Sequence, residues 1–179
     1  PTPVGHSVPY RKPELEPEIC SQVKLAIEAV GLDNCPVNCD LICKDDRIYV
    51  IEITGRAGAT CLPEMVGLYY GINYYEAIVR LAMGMDVRFM FRKDAPHRAN
   101  LSKILTSDRD GTVKAIHNDN PEAEDIIDLS FNIEPGEQVH RYTNGRDRIG
   151  QIILTGDSLY GCEARLQEIL SKINIEFTE

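Results

Sequence analysis

The spacing of apolar residues predicts an α+β fold that begins with a helix and a hairpin. Apolar residues recur at three- and four-residue steps from Pro17 to Val30, and Gly31 is a typical helix end. Two strands follow, from Cys35 to Cys43 and from Arg47 to Ile53, joined by a turn at residues 44–46. The second strand is apolar almost throughout, so we expect it to be buried in the centre of its sheet.

The pattern changes character near residue 95. Before it, a short helix is predicted from Pro63 to about Gly67 and a stronger one from about Tyr74 to Ala82, followed by a connection at residues 86–98. After it, turn signals separate short strands at residues 101–105, 113–117, 126–133, 139–142 and 150–155. A helix at residues 158–172 and a last strand at residues 173–177 close the chain. We therefore predict two domains, residues 1–95 and 96–179.

The composition of the chain argues against nucleic acid and membranes as binding partners. The formal net charge of the 179-residue chain is −9, so no basic surplus exists to bind nucleic acid or an anionic membrane. A nucleotide needs only a metal ion and one or two local cations. No apolar run approaches the roughly 20 residues of a membrane span, and no signal peptide is visible, so we expect a cytoplasmic protein.

The cysteines favour neither a zinc site nor a disulfide framework. Three of the six, Cys35, Cys39 and Cys43, have three residues between neighbours, which is not a zinc-ligand spacing. We expect reduced and mostly buried thiols. The chain begins with Pro1 rather than Met, so we expect a fragment, a processed product or a trimmed form of a longer protein.

Two carboxylates are predicted to face each other across the hairpin. A tight turn at residues 44–46 pairs positions whose numbers sum to about 90 to 92, which places Asp40 opposite Glu52 with roughly 5 Å between their Cβ atoms. Carboxylates this close repel each other unless a cation lies between them, and Mg²⁺ is a natural cation for hard oxygen ligands. Thr54, two residues beyond Glu52 on the same face, offers a third and weaker oxygen ligand.

The loop after the second strand adds a guanidinium and several small residues. Arg56 suits a phosphate or a carboxylate, and the Gly and Ala residues at positions 55 and 57–59 leave room for a ligand beside the backbone amides. Two interpretations of the hairpin stay open. It is either a metal and phosphate site, or a plain hairpin in which an inward Glu52 pairs with Arg56.

Several segments resemble a known family. Val37-Asn-Cys-Asp40, Tyr49-Val-Ile-Glu-Ile-Thr-Gly-Arg56 and residues 62–84 resemble the closing lobe of the ATP-grasp ligases, which include biotin carboxylase, carbamoyl-phosphate synthetase and amino-acid ligases. Residues 103–116, 134–139 and 148–156 resemble the small β domain that follows this lobe. The resemblance implies an ATP-grasp C-terminal lobe, an antiparallel sheet with helices, followed by a β-rich domain capped by a helix.

The resemblance also implies roles for the hairpin residues. These ligases carry an acidic residue, a hairpin and then the motif Glu-x-Asn-x-Arg. The acidic residue matches Asp40, the Glu of the motif matches Glu52, and its Arg matches Arg56. Asp40, Glu52 and Thr54 would then bind Mg²⁺, or Mn²⁺ in its place, and Glu52 and Arg56 would bind ATP. Arg56 would be the catalytic residue that stabilises the transferred phosphate. Thr54 stands where the family has its metal-binding Asn, and Gly55 where it has Pro.

The reaction that the resemblance implies is ADP-forming ligation. ATP phosphorylates a small carboxylate or bicarbonate, and an amine or another nucleophile attacks the acyl phosphate. The N-terminal domain and the adenine-binding lobe of these ligases are not recognisable here, so we expect the chain to act together with those lobes and to be inactive alone. The alternative is a non-catalytic module for oligomerisation or partner binding; a homo-oligomer fits either interpretation.

Other polar residues have weaker signals. By the same resemblance, His6 would lie at the edge of the cleft, and a packing or solvent-exposed histidine is the alternative. We expect His97 and Arg98 to form salt bridges and the tyrosines at positions 69, 70, 74 and 75 to pack against helices. The acidic residues between 122 and 128 are expected at a solvated strand edge.

Overall fold

The computed structural model of the chain describes residues 3–92, 94–95 and 97–178. Its strands are β1 (Gly5–Val8), β2 (Asn38–Lys44), β3 (Arg47–Thr54), β4 (Ala99–Thr106), β5 (Gly111–Asn118), β6 (Ile126–Phe131), β7 (Gln138–Val139), β8 (Arg148–Gly156) and β9 (Ile173–Phe177). Its α-helices are α1 (Glu16–Val30), α2 (Leu62–Tyr70), α3 (Tyr74–Ala82) and α4 (Leu159–Ser171). Short 3₁₀ turns occupy Pro13–Leu15, Arg88–Met90 and Gly145–Asp147.

The chain packs as two compact units. The first, here called the hairpin unit, comprises Pro9–His97. The second, the sheet unit, comprises the residues up to Val8 together with those from Arg98 onward. The mixture of helices with antiparallel sheets confirms the predicted α+β class.

The hairpin unit begins with helix α1, which packs against strand β3. The helix ends where the sequence predicts, because Gly31 adopts a left-handed conformation with φ 70° and its N–H bonds back to Ile27 and Glu28. Asp45 and Asp46 both have positive φ, which gives a two-residue turn that matches the right-handed twist of the hairpin strands. The predicted hairpin is therefore confirmed, although β2 begins at Asn38 rather than Cys35 and the turn has two residues rather than three.

The predicted central position of β3 is wrong. Within the described residues β3 pairs with β2 and with no other strand. Tyr49 is 48% exposed and Ile51 60% exposed. The apolar run correctly indicates a strand, but burial on both faces needs further elements to cover it, and the packing of α1 leaves Tyr49 and Ile51 exposed.

Helices α2 and α3 complete the hairpin unit and pack against each other. Helix α2 is longer than the predicted Pro63–Gly67 segment and ends at Gly71 in the left-handed conformation. Helix α3 has the predicted bounds, since the Asn73 side chain accepts a hydrogen bond from the Glu76 N–H at its start. Met65 on α2 and Ala77 on α3 are among the few buried residues of this unit.

The sheet unit is built on a four-stranded antiparallel sheet in the order β1-β4-β8-β6. A second antiparallel sheet has the order β7-β5-β9, and α4 packs against β4, β8 and β9. Strand β1 pairs with β4, although the whole hairpin unit lies between them in sequence. The turn-separated strands, the final helix and the last strand are confirmed, with bounds that differ by a few residues.

The main hydrophobic core lies in the sheet unit. Ile152 and Leu154 on β8 and Ile169 on α4 have no exposed surface, and Val113 on β5 is nearly as buried. These residues recur with the periods of a strand and a helix, which is why local patterns predict the elements. None of the helices in the described part of the chain has the length and apolar character that crossing a lipid bilayer requires.

The six cysteines are all present as thiols rather than as disulfides. Only Cys61 and Cys162 are buried, so the prediction of mostly buried thiols is wrong. Cys20 is exposed on α1, and Cys35, Cys39 and Cys43 are half-buried. The three cysteines near the hairpin remain partly open because α1 covers that unit incompletely.

Candidate functional site

The register of the hairpin brings Asp40 and Glu52 face to face. Asp40 pairs directly with Glu52, as predicted, and Asn38 pairs with Thr54. Side chains two residues apart on a strand point to the same face, so these four residues share one side of the hairpin. A register shift between Asp40 and Leu41 follows immediately, and such bulges often re-aim side chains beside functional sites.

Both carboxylates are open to solvent, which corrects the expectation of a buried Glu52. Among the described residues, Glu52 forms no ion pair and Asp40 accepts a hydrogen bond only from Asn38. The groups of three or more His, Cys, Asp or Glu side chains that could enclose a metal are absent from the described part of the chain. A cation on this face would therefore need two carboxylates and further oxygens from amides, hydroxyls, water or a ligand.

Arg56 lies on the loop after β3 and does not pair with Glu52. Its Nη1 donates a hydrogen bond to the backbone oxygen of the next residue, Ala57, at 2.7 Å. The side chain is exposed and forms no ion pair with a described carboxylate. The simple hairpin with a Glu52–Arg56 salt bridge, one of the two interpretations of the sequence, is thus not the one that the structure adopts. The guanidinium remains available for an anion.

Thr54 contributes a hydroxyl at the end of β3. Its Oγ1 donates a long hydrogen bond of 3.5 Å to the backbone oxygen of Asn38, the residue opposite. The hydroxyl oxygen keeps lone pairs that could accept or ligate. A neutral hydroxyl is nevertheless a weaker oxygen ligand than the two neighbouring carboxylates.

The loop at residues 55–61 is folded tightly over the end of the hairpin. A Cβ at Gly58 would lie 2.7 Å from Asn38 Oδ1 and 2.5 Å from Leu62 Cδ1, so only glycine fits there without displacing a neighbour. Thr60 and Cys61 have φ of 60° and 69°. Consecutive left-handed residues that are not glycine are strained, and such strain is frequent at ligand-binding loops. The loop then leads directly into α2.

Asn38 is a residue of this face that the sequence predictions left out. It carries no charge and belongs to no predicted ligand set. The signal that could have found it is its position two residues before Asp40 on the same strand, which fixes a common face.

The remaining candidates lie elsewhere. The His97 ring stacks on Tyr69 with 4.5 Å between centroids and meets Tyr70 edge-on, so the predicted salt bridge of His97 is wrong. The aromatic stack satisfies the ring without a carboxylate, and Tyr69 and Tyr70 also meet each other edge-on with 5.2 Å between centroids. Arg98 forms no ion pair within the described part of the chain.

His6 lies on β1, where its backbone N–H donates to Ser102 Oγ at 3.2 Å.

Two further carboxylate groups have structural partners. The Tyr75 hydroxyl donates to the Glu64 carboxylate, which raises the pKa of Tyr75 to about 12. Arg165 Nε donates to Asp125 Oδ2 at 2.8 Å, while Glu122 and Glu124 stay exposed beside β6. Since β6 is the edge of its sheet, the acidic residues between 122 and 128 lie at a strand edge as predicted.

Comparisons with known proteins give one family match and several structural neighbours. The family described as L-amino acid ligase C-terminal domain 2 matches residues 103–178. An uncharacterised protein of Sinorhizobium fredii, y4rH, is 24% identical over 154 residues, which are 85% of this chain and 32% of that protein. Phosphoribosylglycinamide synthetase from Anaerococcus prevotii superposes with a TM-score of 0.91 at 38% identity, over 99% of this chain and 46% of that one.

Two more distant structures share the fold. L-amino acid ligase from Bacillus licheniformis has a TM-score of 0.85 at 21% identity, over 98% of this chain and 44% of that one. The other is the biotin carboxylase domain of the Hydrogenobacter thermophilus 2-oxoglutarate carboxylase, solved with MgADP and bicarbonate. It has a TM-score of 0.74 at 15% identity, over 98% of this chain and 40% of that one. The chain thus spans less than half the length of each of these three solved structures. Together these findings confirm the resemblance to ATP-grasp superfamily ligases and the fold of their C-terminal region.

Proposed function

We propose that this chain, whose fold is that of the C-terminal region of ATP-grasp ligases, supplies the metal- and phosphate-binding side of an ADP-forming ligase. The observation that carries the proposal is the direct pairing of Asp40 with Glu52 on an exposed face of the hairpin. Two carboxylates side by side with no cationic partner among the described residues repel each other, and a divalent cation relieves that repulsion. The donor set therefore fits Mg²⁺, or Mn²⁺ in its place.

The roles of the side chains follow from their chemistry. Asp40 and Glu52 would hold the ion, which neutralises phosphate charge when it is bound, and Thr54 offers a further oxygen. Arg56 would bind the transferred phosphoryl group or the substrate carboxylate through its paired N–H donors. The small residues of the loop leave the backbone open beside that anion. Most of the catalysis in this scheme comes from positioning and charge neutralisation.

The proposed reaction joins a small carboxylate to an amine or a related nucleophile. A carboxylate oxygen attacks the γ-phosphorus of ATP, the bond to the ADP oxygen breaks, and an acyl phosphate forms. The nucleophile then attacks the acyl carbon, and inorganic phosphate leaves with the oxygen that came from the carboxylate. The similarity to an L-amino acid ligase family and to phosphoribosylglycinamide synthetase supports this class of reaction.

Oxygen transfer provides the test of this proposal. The protein that contains this chain would be incubated with ATP, Mg²⁺ and ¹⁸O-labelled carboxylates, singly and with amine acceptors. We expect ADP as the nucleotide product and one ¹⁸O atom in each released phosphate. Formation of AMP, or phosphate without label, would contradict the acyl-phosphate route. Absence of nucleotide turnover across the panel would favour a non-catalytic binding or oligomerisation module.

We predict that the 179-residue chain by itself shows no steady ATP hydrolysis. Asp40, Glu52 and Arg56 are all exposed, so the described residues do not exclude water from the site or close over a nucleotide. The measurement is ADP release over hours with Mg²⁺ and ATP, against the same chain carrying Glu52→Gln as the background. Hydrolysis that is sustained in the unmodified chain and lost in the variant would overturn this prediction.

A further inference from the structure

We infer that Asn38 is a positioning residue that holds the Asp40 carboxylate toward Glu52 for cation binding. The inference rests on the proposed metal-binding function of the hairpin. It assigns a role to a neutral residue outside the Asp40, Glu52 and Thr54 set. Three independent contacts of Asn38 carry it.

The first contact joins Asn38 to the carboxylate itself. Asn38 Nδ2 donates a hydrogen bond to Asp40 Oδ1 at 3.1 Å. Because Asp40 is exposed and has no other described partner, this bond is what restrains its rotation. A donor on Oδ1 also leaves the second carboxylate oxygen, Oδ2, with all its lone pairs for a cation.

The second contact is the close approach of the loop to the side chain of Asn38. The Gly58 backbone lies so close to Asn38 Oδ1 that an added Cβ would approach it to 2.7 Å. The amide thus lies beside Gly58, where the lack of a side chain leaves room for it, and donates to Asp40 on its other side. This arrangement links the loop that carries Arg56 to the carboxylate pair.

The third contact fixes the backbone of Asn38. Asn38 pairs with Thr54 in the hairpin, and Thr54 Oγ1 donates to the Asn38 carbonyl oxygen at 3.5 Å. Glu52 precedes Thr54 by two residues on the same face. The pairing of Asn38 with Thr54 therefore sets the positions of both carboxylates relative to each other. Groups that orient metal ligands in this way commonly change metal affinity by about 10- to 100-fold when they are removed.

Binding of Mn²⁺ by the 179-residue chain tests the inference without relying on activity. In ¹H–¹⁵N NMR spectra, Mn²⁺ should broaden the backbone amides of Asp40 and Glu52 before those of the sheet unit, and excess Mg²⁺ should reverse the effect. For Asn38→Ala we expect an apparent Mn²⁺ affinity about tenfold lower. Asn38→Ser, which keeps a donor, should recover part of that loss. Gly58→Ala should weaken binding by displacing the amide.

The matched control is Asn174→Ala, the same change at an exposed strand position of the sheet unit, which should leave the affinity unchanged. If the unmodified chain binds Mn²⁺ at the hairpin and Asn38→Ala binds within twofold of it, the positioning role is overturned while the proposed function stands. If the unmodified chain shows no selective broadening at Asp40 and Glu52, the proposed metal site fails and this inference fails with it. Chemical shifts outside the hairpin report whether each variant is folded.

Discussion

Replacing Glu52 with Gln in the protein that contains this chain is expected to lower Mg²⁺-dependent ADP formation by about 100-fold or more. Removing one group that stabilises charge in a transition state commonly costs about 10²- to 10³-fold in rate. The amide keeps the size and shape of the side chain but removes the charge that, in the proposed function, holds the cation opposite Asp40. The measurement is a coupled assay of ADP release across Mg²⁺ concentrations.

The fold should survive this change. Glu52 is exposed and forms no ion pair among the described residues, so the free energy of unfolding should move by no more than about 0.5 kcal/mol. Glu122→Gln, at an exposed position of the sheet unit, is the matched control and should leave ADP formation intact. Unaltered activity of the Glu52 variant would count directly against the metal assignment. An unfolded variant would show instead that the side chain has a structural role.

Truncation of Ile152 to Ala is expected to destabilise the sheet unit by about 2–5 kcal/mol. Ile152 has no exposed surface and lies on β8, between β4 and β6 in the four-stranded sheet. Its side chain belongs to the cluster that joins this sheet to α4, so removing three carbons leaves a cavity as well as a loss of apolar burial. Urea denaturation followed by circular dichroism measures the change.

The control for this second prediction is Ile127→Ala. Ile127 is the same residue type on β6 but is 44% exposed, so its truncation should cost far less. Amide hydrogen exchange of β4 and β8 separates unfolding of the sheet unit from changes in the hairpin unit. Equal losses for the two variants would show that the core is not centred on β8. A loss below about 1 kcal/mol at Ile152 would contradict the packing described above.

Much of the candidate site could be predicted because a hairpin is a local structure. The Asp45-Asp46 turn pairs Lys44 with Arg47 and so brings Asp40 to within one residue of Glu52, and the register shift between Asp40 and Leu41 then places the two carboxylates opposite each other. The end of α1 at Gly31 and the start of α3 at Asn73 depend on neighbouring residues in the same way. Such features need no information from distant parts of the chain.

Features that depend on distant contacts could not be predicted in this way. The apolar run of β3 indicates a strand but does not say what covers it, and Tyr49 and Ile51 are exposed. His97 carries a titratable ring that suggested a salt bridge, yet the ring stacks on Tyr69. Asn38 was left out because its importance comes from contacts with Asp40 and Gly58 rather than from its own chemistry.

The sequence by itself determined the helices, the strands, the hairpin turn and the resemblance to ATP-grasp ligases, because each depends on short-range periodicity or on a contiguous motif. Tertiary structure alone decided that β1 pairs with β4 and that the carboxylate face is open to solvent. These outcomes depend on which surfaces meet after the chain folds, and periodicity carries no information about that.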